Sequence, residues 1–230
     1  RTPREPDPFH RRLADTCVHL CAVAMERDLT RQRIHQLAFH DLLTGLPNRS
    51  LLLARAAQSL AAAEHQQQPL AVLSLDIERF RQVNQALGQA AGDLLLREIG
   101  RRVQSVLGVA DIAGRLSGDE FALVICPCTA EHARHLSGQL MEVIGQPLSL
   151  EQTTLHPRAS IGISLYPDNA RDVETLLQQA DLARAQARQH GLLPVRFYSE
   201  AMDSAMQERR RLEASLRQAM AENRLQVHYQ

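Results

Sequence analysis

The order of apolar runs and helical segments predicts a mixed α/β (α+β) fold. A central, mainly antiparallel sheet is expected, flanked by helices in the split β-α-β, ferredoxin-like arrangement. Three observations carry the prediction. The stretch Pro69-Leu-Ala-Val-Leu-Ser-Leu-Asp-Ile77 is a short, almost continuous apolar run, the pattern of a strand buried on both faces. Two further candidate strands, Asp111-Ile-Ala-Gly-Arg-Leu116 and Phe121-Ala-Leu-Val-Ile-Cys126, flank a Ser-Gly-Asp-Glu turn, as in a hairpin. The overall order is strand, helix, strand, strand, helix, strand.

Along the chain, residues 1–8 are polar, carry three prolines and read as a linker. From about Phe9 to Phe39 the residues Leu13, Cys17, Leu20, Val23 or Ala24, Ile34 and Leu37 recur near three- and four-residue spacing, which predicts a long helix. Such a stalk either pairs as a coiled coil or packs on its own domain. In Asp41-Leu-Leu-Thr-Gly-Leu-Pro-Asn-Arg49, Gly45 and Pro47 break that helix, and Asn48 supplies an N-cap for an Ala/Leu-rich helix over 49–64. After the first strand a helical region breaks near Gly88 and resumes at Asp93, to run to Val106. A helix over 130–144, a strand over 158–166 with apolar side chains at alternate positions, and a helix from Asp172 to Gln189 complete the domain. An Arg- and Glu-rich helix follows from Glu200 to Glu222, and 225–230 reads as a strand just begun.

Composition narrows the function. The 230 residues are 44% hydrophobic, enough for one sizeable core with extensions. Basic and acidic residues balance at 26 each, which argues against a global grip on nucleic acid. Every basic residue is Arg, so chemistry that commonly uses Lys must here use the planar guanidinium. No secretory leader or apolar run of transmembrane length is present, so no membrane insertion is expected. Cys17, Cys21, Cys126 and Cys128 read as free thiols in a reducing, cytoplasmic compartment. Cys126 and Cys128 with His132 and His135 could be drawn as a metal cluster, but Cys-Pro-Cys is not a common zinc spacing. The plainer reading is a strand end and a helix face.

Topology gives the acidic turn its interest. A helical crossover makes the first and second strands parallel, and the third strand slots between them, antiparallel. The turn holding Asp119 and Glu120 then lies at the sheet edge where the first strand ends in Asp76. Three carboxylates at one edge suit a hard divalent cation such as Mg²⁺, and such an ion suits phosphoryl chemistry. An isolated Gly-Asp-Glu turn, by contrast, is commonly just a solvated hairpin tip.

The ordered motifs "DLLTGLPNR", "LDIERFRQVNQALGQAAGDLLL", "SGDEF", "SIGISLYP" and "LLQQADLARAQARQHG" together resemble the GGDEF domain of the diguanylate cyclases, over about residues 38–198. The resemblance implies a palm-type nucleotidyl cyclase fold. It also implies condensation of two GTP into cyclic di-GMP with Mg²⁺ (or Mn²⁺), each subunit of a homodimer holding one GTP. It assigns metal binding to Asp76, the Ile77 carbonyl, Asp119 and Glu120, with Asp119 and Glu120 catalytic and Glu120 activating the hydroxyl. Asn84 and Asp93 match its guanine-binding pair; an amide and a carboxylate complement guanine's edge, although helix caps also use these residue types. Arg81 and Arg188 stand at phosphate-binding positions, where the alternative is exposure on solvated helix faces. Phe80 and Gly118 complete the substrate set.

Three positions depart from the family pattern. Ser117 replaces the leading Gly of the motif, and a Cβ there is costly if the backbone needs φ > 0. Gly108 replaces the Arg of the inhibitory Arg-x-x-Asp product site, although Asp111 is present, so no product inhibition through that site is expected. Gly191-Leu192-Leu193 replaces Gly-Arg-Asn, removing a phosphate-contacting Arg.

The resulting division is 1–38, a linker and signalling helix that resembles the last helix of a sensory module; 39–198, the GGDEF-type domain; and 199–230, a connector that resembles the entry to an EAL phosphodiesterase domain. The alternative to a working cyclase is a catalytically weak or inactive GTP-binding domain that regulates the adjacent EAL phosphodiesterase. A purely structural dimerisation unit is the third reading.

Overall fold

The computed structural model describes residues 16–19, 22–27, 36–150, 153–190, 193–204, 211, 215 and 218–220. Residues 16–19, 22–27 and 36–39 are helical, as the N-terminal stalk requires. The rest of that stalk, the linker at 1–8 and the strand expected at 225–230 lie outside the described residues. Among the described residues, no helix is long and apolar enough to cross a membrane.

The domain begins with α1 (Arg49–Gln66), where the Asn48 side chain accepts from Leu51 N–H at 3.1 Å, the expected N-cap. Then follow β1 (Leu70–Ile77), α2 (Phe80–Leu87), α3 (Gln89–Val106), β2 (Ile112–Ser117), β3 (Glu120–Ile125), α4 (Ala130–Ile144), β4 (Leu148–Leu150), β5 (Thr153–Leu155), β6 (Ala159–Tyr166), α5 (Val173–His190) and β7 (Val195–Phe197). The main sheet has the order β2-β3-β1-β6-β7. β3 lies between β1 and β2, antiparallel to both, as the split β-α-β order predicted. β6 pairs antiparallel on the other side of β1, and β7 adds to β6 in parallel.

Two details differ from the expectation. Gly88, at φ +84°, separates α2 from α3 alone, and α3 begins at Gln89. Asp93 therefore sits inside that helix and does not cap it. The β4–β5 hairpin and β7 were not foreseen, because three-residue strands are too short to display a period-two pattern.

Strand alternation sorts β1 into two faces. Ala71, Leu73, Leu75 and Ile77 join the larger core with Leu95, Ile99 and Val103 of α3 and Ala133, Leu136 and Leu140 of α4. Leu70 and Val72 join the second core with Leu52, Ala56 and Leu60 of α1 and Leu176, Leu177 and Ala180 of α5. The next two residues on that second face are Ser74 and Asp76, both buried. The sheet face under α5 thus changes from apolar to polar along a single strand. On β3, Ala122 and Val124 belong to the second core and Phe121, Leu123 and Ile125 to the first, so alternation puts Glu120 on the face of Asp76.

α5 reaches that polar end because Gly162 of β6 has no side chain. A Cβ there would lie 2.0 Å from the Ala180 carbonyl oxygen and 2.2 Å from the Arg184 backbone nitrogen. On the opposite face, buried Arg102 of α3 ties down the end of α4. Its guanidinium donates to the carbonyls of Ile144 at 2.8 Å, Gln146 at 2.6 Å and Pro147 at 3.1 Å, and Glu98 accepts from its Nε at 2.8 Å.

Candidate functional site

Asp76 and Glu120 are direct cross-strand partners in the β1–β3 register. The Ile77 N–H donates to the Asp119 carbonyl at 3.4 Å, so the turn is pinned to the end of β1. The three predicted acids therefore share one sheet edge. A register shift between Arg115 and Ser117 marks a bulge just before the turn, a device that commonly re-aims side chains at sites.

The turn itself is braced from the loop at 41–48. Arg115 donates from Nε to the Gly118 carbonyl at 2.8 Å and from Nη1 to both Asp41 oxygens at 3.0 Å. Asp41 also accepts from the Thr44 backbone at 2.8 Å and its hydroxyl at 2.6 Å. Burial works against the Asp41 charge, but these hydrogen bonds from Thr44 and Arg115 hold its carboxyl below the ordinary value. Gly114 lets this loop approach, since a Cβ there would sit 2.9 Å from the Pro47 carbonyl oxygen.

Ser117 does not strain the turn. Positive φ in the turn falls on Gly118, at +49°, and Ser117 is not a positive-φ residue. Its hydroxyl lies 3.2 Å from Glu120 Oε2 and donates to it. The backbone thus tolerates a Cβ at 117, while the left-handed geometry is carried by the neighbouring Gly.

Electrostatics centre on Asp76, whose side chain is 7% exposed. Arg184 of α5 donates from Nη1 to Asp76 Oδ2, and from Nη2 to Glu120 Oε1 at 3.0 Å and Asp181 Oδ1 at 3.5 Å. Arg188 adds a contact to Asp76 Oδ2 at 3.2 Å. Ser74 donates its hydroxyl to Asp181 Oδ1. Burial pushes the Asp76 carboxyl above its ordinary value; Arg184 and Arg188 pull it down, and the Asp119 and Glu120 charges push it up, leaving it raised. Asp76 Oδ1 is buried and accepts no hydrogen bond.

That unpaired acceptor is the observation relevant to a metal. The acids supply hard oxygens of the kind Mg²⁺ prefers, and one of these oxygens, Asp76 Oδ1, is buried without a hydrogen-bond donor from the chain, so the residues suit the ion chemically. As they stand, however, no three His, Cys, Asp or Glu side chains among the described residues are gathered into a cation cage. Arg184 holds two of the acids. The same finding covers Cys126, Cys128, His132 and His135; burial pushes the Cys128 thiol up to about 12.

Further from the turn, Asn84 of α2 and Asp93 of α3 are half-buried on adjacent helices. Asn84 Oδ1 is buried and unpaired, and Gly92 makes room for it: a Cβ at 92 would lie 1.9 Å from that oxygen and 3.2 Å from the Phe80 ring. Phe80 packs against the larger core. Arg81 is exposed on α2. Asp111 accepts from the Gly108 N–H at 2.8 Å, closing its own turn. Leu192 lies outside the described residues.

Sequence reading missed Arg184, Asp181 and Ser74. The pattern was present: Ser74 and Asp76 interrupt an apolar strand at alternate positions, and residues 181, 184 and 188 fall on one helical face.

Comparison with known proteins agrees with the fold and motifs. Residues 38–192 match the family described as diguanylate cyclase, GGDEF domain. An uncharacterized signaling protein of Caulobacter vibrioides is 40% identical over 207 residues, covering 89% of this chain and 26% of its own length. The bifunctional diguanylate cyclase/cyclic di-GMP phosphodiesterase MucR of Pseudomonas aeruginosa is 38% identical over 195 residues, covering 85% of this chain and 28% of its own. The chain thus spans about a quarter of the length of these curated relatives. Among solved structures, the isolated GGDEF domain of TpbB (YfiN) from Pseudomonas aeruginosa superposes with a TM-score of 0.70 at 33% identity, over 73% of this chain and 99% of that one.

Proposed function

Because the chain belongs to the GGDEF diguanylate cyclase family, we propose that it condenses two GTP molecules into cyclic di-GMP, with release of two pyrophosphates. The observation that carries the reading is the cross-strand pair Asp76 and Glu120, with the buried Asp76 Oδ1 free to accept a ligand. In this reading Asp76, the Ile77 carbonyl, Asp119 and Glu120 hold Mg²⁺ or Mn²⁺. When bound, the ion neutralises triphosphate charge and polarises the α-phosphate. Glu120 takes the proton of the attacking 3′-hydroxyl. Asn84 Oδ1, an unpaired acceptor, receives a guanine N–H, and Asp93 accepts from the same edge. Arg81 and Arg188 meet the phosphates, Gly118 lets the backbone approach them, and Phe80 shapes the wall beside Asn84.

Each subunit of a homodimer would hold one GTP, so each 3′-hydroxyl attacks the partner's α-phosphate. Residues 39–198 are the cyclase-type unit in this proposal, with 1–38 a linker and signalling helix from a sensory domain and 199–230 a connector into an EAL phosphodiesterase. The pairing of both activities in MucR supports that arrangement. A cytoplasmic location follows from the substrate.

Incubating the chain with GTP and Mg²⁺ over a protein concentration series tests the reading. Cyclic di-GMP should form, with turnover per subunit rising as dimers form, and Asp119→Asn should abolish it. GTP binding without product at every concentration would overturn the cyclase reading. It would favour the second one, a GTP-binding regulatory domain acting on the adjacent phosphodiesterase. That alternative is favoured by the guanidinium already seated on Asp76 and Glu120.

A further inference from the structure

We propose that Arg184 is a built-in cation gate: its guanidinium sits on one oxygen each of Asp76 and Glu120, leaving Asp76 Oδ1 open, and must swing away before a divalent ion can be held by both acids. The proposal rests on the reading of Asp76, Asp119 and Glu120 as metal-binding acids and adds how access to them is controlled.

The geometry is direct. Arg184 Nη1 takes Asp76 Oδ2, and Nη2 takes Glu120 Oε1 at 3.0 Å, so one planar fork spans the cross-strand pair. Asp76 Oδ1 stays open, but the guanidinium engages the facing oxygens of both acids, and a second positive charge brought to the same carboxylate pair is repelled by it. The side chain is 11% exposed, so solvent screens this contact little. Arg188 touches the same Asp76 oxygen but is 56% exposed and contributes correspondingly less.

Arg184 is also incompletely satisfied where it stands. Its Nε is buried without a hydrogen-bond partner, and a buried unpaired donor lowers the cost of leaving. A place to go exists. Arg184 lines a cavity of about 610 Å³ together with Gln178, Gln179, Asp181, Ala185 and Asp203. Asp181 already touches Arg184 Nη2 at 3.5 Å and can hold the guanidinium in either position, and Asp203, whose Oδ2 accepts from the Tyr198 hydroxyl, offers its other oxygen on the cavity wall. The gate therefore exchanges Asp76 and Glu120 for Asp181 and Asp203, keeping the Arg paired in both states.

Manganese alone, titrated into the full 230-residue chain and followed by the electron paramagnetic resonance of free Mn²⁺, reads the gate without turnover. Removing the competing cation in Arg184→Gln should tighten Mn²⁺ by about tenfold, within the usual range of a coupling between two sites. Unchanged or weaker binding in Arg184→Gln, with binding lost in Asp76→Asn, overturns the gate and leaves the metal site standing. Equal tightening in Arg188→Gln reduces the effect to net charge and also overturns it. No Mn²⁺ binding by either wild type or Arg184→Gln overturns both the gate and the metal reading. The wild type supplies a test that does not depend on a variant folding. Phenylglyoxal labelling of Arg184, read by mass spectrometry, should rise with Mn²⁺; labelling that stays constant or falls means that the ion does not displace the side chain.

Discussion

Replacing Gly162 by Ala asks whether the close seating of α5 on the sheet builds the polar end of the site. The added Cβ would meet backbone on both sides, at 2.0 Å from the Ala180 oxygen and 2.2 Å from the Arg184 nitrogen. Ordinary contact begins near 3.4 Å, so α5 must withdraw by 3.4 − 2.0 = 1.4 Å, or β6 must bend away. Neither neighbour is a flexible side-chain end that could rotate aside. Overpacking of this kind costs about 3 kcal/mol, the upper part of the usual range, because helix and strand backbones must part. For a chain of this size each kcal/mol moves the midpoint by roughly 2–4 °C, so a fall of roughly 6–12 °C is expected. Denaturant unfolding measures the free energy, and hydrogen exchange on α5 locates the loosening. Gly138→Ala is the control: that glycine lies on the exposed face of α4 with nothing within 4 Å of a new Cβ, and Ala should stabilise the helix by about 0.5–1 kcal/mol. A Gly162→Ala protein within about 1 kcal/mol of wild type would refute the reasoning, because it would mean the two layers separate freely.

If the chain acts as the proposed cyclase, Ser117→Gly should leave turnover within about threefold of wild type, because position 117 does not use the positive φ that only Gly adopts cheaply; a gain of more than about tenfold would contradict this. Gly118→Ala, at φ +49°, should instead destabilise the hairpin by about 1 kcal/mol or more in denaturant unfolding. Glu98 is held down at about 2, from an ordinary 4.5, by hydrogen bonds from Arg101 against the opposing effect of burial, with Arg102 adding to them. Its folded value is depressed, so its stabilisation is complete above about pH 4.5 and fades as pH falls towards about 2. Glu98→Gln should therefore flatten the acid limb of stability against pH in that window; an identical slope in wild type and variant would contradict the assignment.

The long elements were legible because each carried one dominant pattern. β1 is apolar at nearly every position, and α4 has the bounds expected from the sequence, 130–144. The antiparallel insertion of β3 between β1 and β2 followed from chain order and crossover geometry. Short elements escaped because β4, β5 and β7 have three residues each, and their pairing is decided by neighbours distant in sequence. The start of α3 was misplaced because Asp93 looks like a cap, whereas Gly88 alone makes the break. In the site, the acids were legible as motif residues, but Arg184 was not. Its role depends on Gly162 allowing α5 to descend, and that contact joins residues 22 positions apart through the absence of a side chain.

The burial of Asp76 links fold and site. β1 can stay buried along its whole length only if the charge at its end is compensated, and the compensation must come from the face that Gly162 opens. Arg184 supplies it, yet the Asp76 carboxyl remains raised, because burial and the neighbouring Asp119 and Glu120 charges together outweigh both guanidinium groups. One oxygen of Asp76 and one nitrogen of Arg184 stay unpaired in the same buried cluster. A structural ion pair selected only for stability would satisfy both atoms, or be replaced by apolar residues at little cost. Leaving them open keeps an electrostatic deficit at the end of β1 that the protein's own residues do not close, and positive charge delivered there from outside would close it. Asp76 Oδ1 and Arg184 Nε therefore mark the end of β1 as the place where the fold leaves polar capacity unused by its own residues.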